Sequence, residues 1–177
     1  MGLDMYLGLR KYVRSIDWDK VKEAQQDPNH QIDFRDYPTN EFLTVKTLVP
    51  EEALKFSESG ATIKINVGYW RKANQIHGWF VRNVQNNEDD CKEYYVSRDQ
   101  LIELLDTIYK VLDGDKETAK ELLPVTAGFF FGNYDEDNGY DEYYYADLQH
   151  TKEMIEHLLN TVPADDYNYD FVYQSSW

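Results

Sequence analysis

The amino-acid sequence predicts an α+β fold in a single domain over residues 1–177, with a mostly antiparallel sheet and three or four helices packed against it. Two kinds of pattern favour this class. Alternating apolar and polar residues predict strands, and apolar residues at helical spacing predict helices that bury one face. The 177 residues contain neither an internal repeat nor a long linker, which is typical of one domain.

The N-terminal part of the chain predicts three strands and little helix. Leu3, Met5 and Leu7 alternate with Asp4 and other polar or small residues, and the segment from Ala61 onwards has the clearest alternation. In chain order, the predicted elements are a strand over residues 3–9, a helix over 17–26, a strand over 41–48, one or two helical turns over 51–57, and a strand over 61–69.

The C-terminal part predicts mainly helices. Ser97 and Gln100 have the spacing of a capping box, and Pro163 ends the last helix. The predicted elements are a helix over 70–84, an extended piece over 91–96, helices from Ser97 and over 115–123, a buried strand or tight connection over 128–132, a helix over 141–162 and a closing strand over 167–173.

The composition is strongly acidic, with 33 acidic and 18 basic residues and a formal net charge of −15. This charge argues against direct binding of nucleic acid or of an anionic membrane, because both would be repelled. It favours a basic protein partner, a class that includes nucleic-acid-binding proteins. A charge of this kind also aids solubility without any partner, and that interpretation stays open.

Cys91 is the only cysteine, which indicates a reducing compartment and a cytoplasmic protein. No apolar run reaches the ~20 residues of a membrane span, and the N-terminal residues lack a signal-peptide pattern. We predict no metal and no cofactor, because a calcium loop centred on Gly139 would fail at Tyr134 and Tyr145 and no nucleotide-binding motif occurs. No catalytic residue is assigned, and an enzyme is the less favoured class.

The segment 67–80 combines stacking and hydrogen-bonding groups in a way that suits a ligand pocket. Arg71 could pair with a carboxylate or phosphate, and the indole of Trp70 could stack on a planar ligand. The alternative, that Trp70, His77 and Phe80 belong to the core, stays open. The candidate ligand-binding residues are Trp70, Arg71, Asn74, His77, Tyr140 and Asp141.

Residues 134–145, the acidic tyrosine segment, interleave tyrosines with carboxylates. Such a surface can imitate the charge and stacking groups of DNA and would suit a basic partner. The alternative is solvated charge that also stabilises the N-terminus of the following helix. The candidate partner-binding residues are Tyr134, Asp135, Glu136, Asp137, Glu142 and Tyr143.

Five motifs are spread along the chain: MGLDMYL at residues 1–7, GYWRKANQIH at 68–77, GFFFG at 128–132, YDEY at 140–143 and YQSSW at 173–177. Together they resemble a family of small proteins encoded by tailed bacteriophages and prophages. The resemblance runs along the whole chain, and the family carries no assigned activity, so it implies no catalytic residue. It implies an accessory protein that acts in the cytoplasm of the bacterial host, where small acidic proteins of this kind often counter host defences.

These observations lead to two functional hypotheses. The first is a non-enzymatic protein that binds a host component, for example a CRISPR effector, through the acidic tyrosine segment. The second is a protein or enzyme that binds or sequesters a nucleotide or another planar anion at a pocket built on the segment 70–80. Neither hypothesis specifies an oligomeric state.

Overall fold

The computed structural model describes residues 2–27, 31–54, 60–126 and 138–177. Within these ranges, four strands form one antiparallel sheet in the order β2-β1-β4-β3, and six α-helices accompany it, which confirms the predicted α+β class. The elements are β1 (Asp4–Val13), α1 (Trp18–Ala24), α2 (Asn40–Lys46), β2 (Ala61–Arg71), α3 (Asn74–Asn83), β3 (Tyr94–Val96), α4 (Arg98–Asp113), α5 (Lys116–Leu122), α6 (Glu142–Thr161) and β4 (Tyr169–Ser176).

The contacts divide the chain into two compact units. The larger consists of Met1–Arg10 with Lys64–Trp177, and the smaller of Lys11–Ile63. The single-domain interpretation of residues 1–177 stays a prediction, and the predicted strand or connection over 128–132 lies outside the described residues. No helix in the described ranges is long and apolar enough to cross a membrane.

The larger unit buries the inner face of the sheet against α3, α4 and α6. Leu3, Met5 and Leu7 on β1 have no exposed surface, as their alternation predicts. Strand β2 approaches α6 so closely that a Cβ on Gly68 would meet Met154 Sδ and lie 3.1 Å from Leu7 Cβ. The three helices contribute the buried side chains of Ile76, Phe80, Leu101, Leu104, Ile108, Leu148 and Ile155.

Side-chain caps fix where two long helices of this unit begin. At α4, Ser97 Oγ accepts from the backbone N–H of Gln100 at 3.1 Å, and Gln100 Oε1 accepts from the Ser97 N–H at 2.9 Å. This confirms the predicted capping box. At α6, one carboxylate oxygen of Asp141 accepts from the N–H groups of Tyr143 and Tyr144, both at 3.0 Å. Asp141 is therefore a helix cap.

In the smaller unit, the strand predicted over residues 41–48 is wrong, because Asn40–Lys46 forms helix α2. The Thr39 hydroxyl accepts from the Phe42 N–H at 3.1 Å and donates to the carbonyl of Arg14 at 2.6 Å. A threonine cap of this kind satisfies an otherwise unpaired donor of the first helical turn. The capped turn outweighs the alternation of Phe42, Thr44 and Lys46, which had favoured a strand.

The helix predicted over residues 70–84 is also wrong at its start, because β2 continues through Arg71 and α3 begins at Asn74. The Lys72 N–H donates to the carbonyl of Leu3 at 2.8 Å, which keeps this part of the chain beside β1. Lys72 then adopts a left-handed backbone with φ of 63°, and this turn redirects the chain into α3. Trp70 and Arg71 consequently belong to a strand.

Candidate functional site

The candidate ligand residues on β2 and α3 are mostly inside the protein. Trp70 and Asn74 are each 2 % exposed and His77 is 1 % exposed, whereas Arg71 lies at the surface. Gln75, next to Asn74, is 2 % exposed as well. Because buried polar groups are costly without partners, their hydrogen bonds decide what this segment can do.

His77 lies in a buried chain of hydrogen bonds that links three parts of the larger unit. Its Nε2 is 3.0 Å from Asp89 Oδ2, and its Nδ1 is 2.7 Å from the hydroxyl of Tyr173. The Asp89 carboxylate oxygen accepts from the Nε2–H, and the Tyr173 hydroxyl, which can both donate and accept, shares the second hydrogen bond with Nδ1. Burial raises the pKa of Tyr173 well above its usual value, which keeps that hydroxyl protonated.

Asp89 extends this chain of bonds to the surface. Asn86 and Asn87 have left-handed backbones, with φ of 54° and 64°, and this turn after α3 precedes Asp89. Asp89 Oδ1 accepts from the indole N–H of Trp177 at 3.0 Å. We call Trp177, Asp89, His77 and Tyr173 the His77 network.

The His77 network has the order of groups that activates a hydroxyl nucleophile, since a carboxylate orients an imidazole that is hydrogen-bonded to a hydroxyl. The nucleophile would have to reach a substrate, but Tyr173 is 0 % exposed and His77 is 1 % exposed. The ring of Tyr173 is also covered by Phe80, which stacks on it at a centroid distance of 3.9 Å. The network therefore holds α3, the following loop and β4 together.

A second set of buried bonds joins β2 and α3 to α6. The indole N–H of Trp70 donates to Thr151 Oγ1 at 2.8 Å, and the Thr151 hydroxyl donates to the carbonyl of Asp147 at 2.6 Å. Gln75 Nε2 lies 3.4 Å from the carbonyl of Tyr144 and 3.5 Å from Asp147 Oδ2. These contacts explain why a segment so rich in polar groups can be buried.

Two candidate ligand residues, Asn74 and Tyr140, meet at the same piece of backbone. Asn74 Oδ1 accepts from the N–H of Thr126 at 2.7 Å, and the Tyr140 hydroxyl accepts from the N–H of Val125 at 3.3 Å. Their oxygens are thus bonded to the chain itself. Arg71 at the surface and His77 in its own network are not brought together with them, and the ligand site stays a prediction.

Of the candidate partner residues, the structure describes Glu142 and Tyr143, and both are exposed on the first turn of α6. Tyr143 is 69 % exposed. Tyr134, Asp135, Glu136 and Asp137 lie outside the described residues. Of the candidate partner surface, the structure therefore describes the part at the start of α6.

The charge is divided unevenly along the chain. Residues 83–177 hold 22 acidic and 6 basic side chains, a net charge of −16, whereas residues 1–82 hold 11 acidic and 12 basic, a net charge of +1. A running sum of charge would have found this division in the sequence. We define the acidic helical surface by the exposed carboxylates of α4, α5 and α6, which are Asp99, Glu103, Asp106, Asp113, Glu117, Glu121, Glu142 and Glu153.

Asp147 is the carboxylate of α6 whose surroundings oppose its charge. Burial raises its pKa above the usual 3.8, and the hydrogen bond from Gln75 opposes that shift only in part. The folded protein therefore binds a proton at pH values where the unfolded chain has already lost it. Keeping the Asp147 carboxylate charged lowers the free energy of unfolding. This loss is complete above the raised pKa and fades as the pH falls towards 3.8.

Asp147→Asn should therefore stabilise the protein at pH 7, by about 1–2 °C in melting temperature, since part of the carboxylate is still solvated. The gain over wild type should shrink as the pH is lowered to 4. Thermal unfolding of both proteins across this range measures it, with Asp106→Asn on α4 as the exposed control. A gain that is the same at every pH would contradict the assignment.

Among the residues that the structure describes, no group of three or more histidine, cysteine, aspartate or glutamate side chains could hold a metal ion. Comparison with known proteins gives no further lead, because no family model, no curated protein and no solved structure matches this chain. What the protein does must therefore be inferred from its own charges, contacts and cavities.

Proposed function

We propose that this protein is a non-enzymatic binding protein whose acidic helical surface docks on a basic protein of a bacterial host. The charge division supports it most directly, since a net charge of −16 is concentrated in residues 83–177. The resemblance to proteins of tailed phages supplies the host as the setting. Inhibition of a host defence protein is the consequence that this setting favours.

A concentration of charge of one sign on one part of a chain mainly changes the rate at which the protein encounters a charged partner. It accelerates association with a basic surface, and the acceleration falls as salt is added. A protein that binds nucleic acid carries such a basic surface, and the acidic protein would compete for it. Exposed tyrosines such as Tyr143 supply the aromatic contacts that contribute most to interface affinity.

Neutralising three carboxylates of the acidic helical surface should weaken this interaction. We expect a triple variant to associate with the partner about tenfold more slowly at low salt. This variant combines Glu103→Gln, Asp106→Asn and Glu153→Gln. The partner is first isolated from host lysate on the immobilised wild-type protein, and then purified for kinetic measurement at several salt concentrations.

A matched control makes the same change of charge in the smaller unit. It combines Glu23→Gln, Asp36→Asn and Glu52→Gln, three exposed carboxylates of residues 11–63. This control should associate within about twofold of wild type. Equal slowing in both triple variants would show a response to total charge alone, and no slowing in either would remove the acidic helical surface from the interface.

A further inference from the structure

A cleft of about 260 Å³ lies in the larger unit where β3 leads into α4, beside the connection from α6 to β4. Its wall includes apolar side chains and three tyrosines, Tyr95, Tyr167 and Tyr169. Tyr95 is 61 % exposed and Tyr167 is 99 % exposed. Aromatic rings this exposed beside a concave site are accessible to an incoming side chain.

The charged groups that line this cleft are not equally available. Asp170 forms two hydrogen bonds to the guanidinium of Arg10, at 2.7 and 2.9 Å, so its charge is already compensated. Arg98 donates to the carbonyls of Leu159 and Val162 near the end of α6. The negative end of the α6 dipole, about half an elementary charge, offsets part of the charge of that guanidinium.

Two further carboxylates in the lining outnumber the single Arg98 guanidinium and make the cleft net negative. Asp99 is exposed on the first turn of α4, and Asp166 uses its Oδ1 to accept from the backbone and side-chain amides of Asn168. Amide donors leave the full negative charge of Asp166 in place. The cleft thus combines net negative charge, aromatic faces and a volume large enough for one long side chain.

We propose that this cleft binds an arginine side chain presented by the basic partner, a conclusion that rests on the proposed function and refines it. A guanidinium can stack on a tyrosine ring while it pairs with a carboxylate, which matches the groups that the cleft offers. A lysine ammonium can pair with the carboxylates, but it lacks the planar face. Arginine is therefore the expected occupant.

The direct test is titration of the whole protein with the peptide acetyl-Gly-Arg-Gly-amide, followed by NMR. The matched probe replaces arginine by citrulline, which keeps the shape and loses the charge, and a third probe carries lysine. We expect millimolar binding of the arginine peptide, typical of one side chain, with shifts at Tyr95 and Tyr167. Binding should be at least fivefold weaker for lysine and undetectable for citrulline.

Variants separate the cleft from general charge. Asp99→Asn with Asp166→Asn, and separately Tyr167→Ala, should each weaken arginine binding by at least fivefold, whereas Glu23→Gln with Asp36→Asn in the smaller unit should leave it within twofold. Equal binding of arginine and citrulline peptides, equal binding of arginine and lysine peptides, or no binding of arginine at all would overturn the proposal.

The same variants distinguish failure of the cleft from failure of the proposed function. If the partner binds wild type and Tyr167→Ala equally but associates about tenfold more slowly with the α4 and α6 triple variant, the cleft is overturned and the function stands. If wild type retains no basic partner while the arginine peptide still binds in the cleft, the proposed function fails and arginine binding stands.

Discussion

Replacing Phe80 by alanine is expected to lower the free energy of unfolding by about 3–5 kcal/mol. The Phe80 ring is fully buried, stacks on Tyr173 at a centroid distance of 3.9 Å and lies perpendicular to the Trp79 ring at a centroid distance of 5.4 Å. The substitution removes this buried area, leaves a cavity and abolishes the stacked pair. Urea unfolding followed by tryptophan fluorescence gives the difference in free energy.

The matched control is another aromatic residue of the same unit, at the surface. Tyr143 is 69 % exposed, and Tyr143→Ala should change stability by no more than about 0.5 kcal/mol. A loss below about 1.5 kcal/mol for Phe80→Ala would mean that the core collapses around the missing ring, and that the α3–β4 contact matters less than its geometry indicates.

The elements that could be predicted from sequence are those set by local chemistry. Leu3 and Met5 alternate with polar residues, and they are buried because a strand places alternate side chains on opposite faces. Ser97 caps α4 because its hydroxyl and the Gln100 amide need only a short reach along the chain. Leu101 and Ile108 follow at helical spacing and are also fully buried.

The two errors of secondary structure occur where local and long-range preferences conflict. Over 41–48, alternation favoured a strand, but the Thr39 cap and the absence of a pairing strand for this segment among the described residues favour a helix. Over 70–73, helical spacing extended the predicted helix too early. Pairing of Lys72 with Leu3, far away in sequence, keeps the segment beside β1.

The candidate site could be predicted only as a set of residues, without partners. The bonds of His77 reach Asp89 and Tyr173, and the second of these partners is 96 residues away in sequence. Nothing in the local pattern of α3 identifies that pairing. The interpretation of His77 as a core residue with satisfied hydrogen bonds is the one that the geometry supports.

The second large effect is expected at the His77 network. His77→Ala should lower the free energy of unfolding by about 2–4 kcal/mol, because it removes two hydrogen bonds and leaves Asp89 and the Tyr173 hydroxyl without this partner. Tyr173→Phe keeps the ring on Phe80 and removes only the hydroxyl, so its cost should be about 1–2 kcal/mol. Urea unfolding of both variants measures these values.

The double variant decides whether the two residues act as a pair. If the His77–Tyr173 bond holds α3 to β4, the two substitutions should not be additive. The double variant His77→Ala, Tyr173→Phe should then lose about 1 kcal/mol less free energy of unfolding than the two single variants lose together. Trp177→Phe is the control, since Trp177 bonds to Asp89 at the exposed end of the network and its loss should cost about 0.5 kcal/mol or less. Strict additivity would mean that His77 acts through Asp89 and its packing, and that the 2.7 Å contact with Tyr173 does little to join the helix to the sheet.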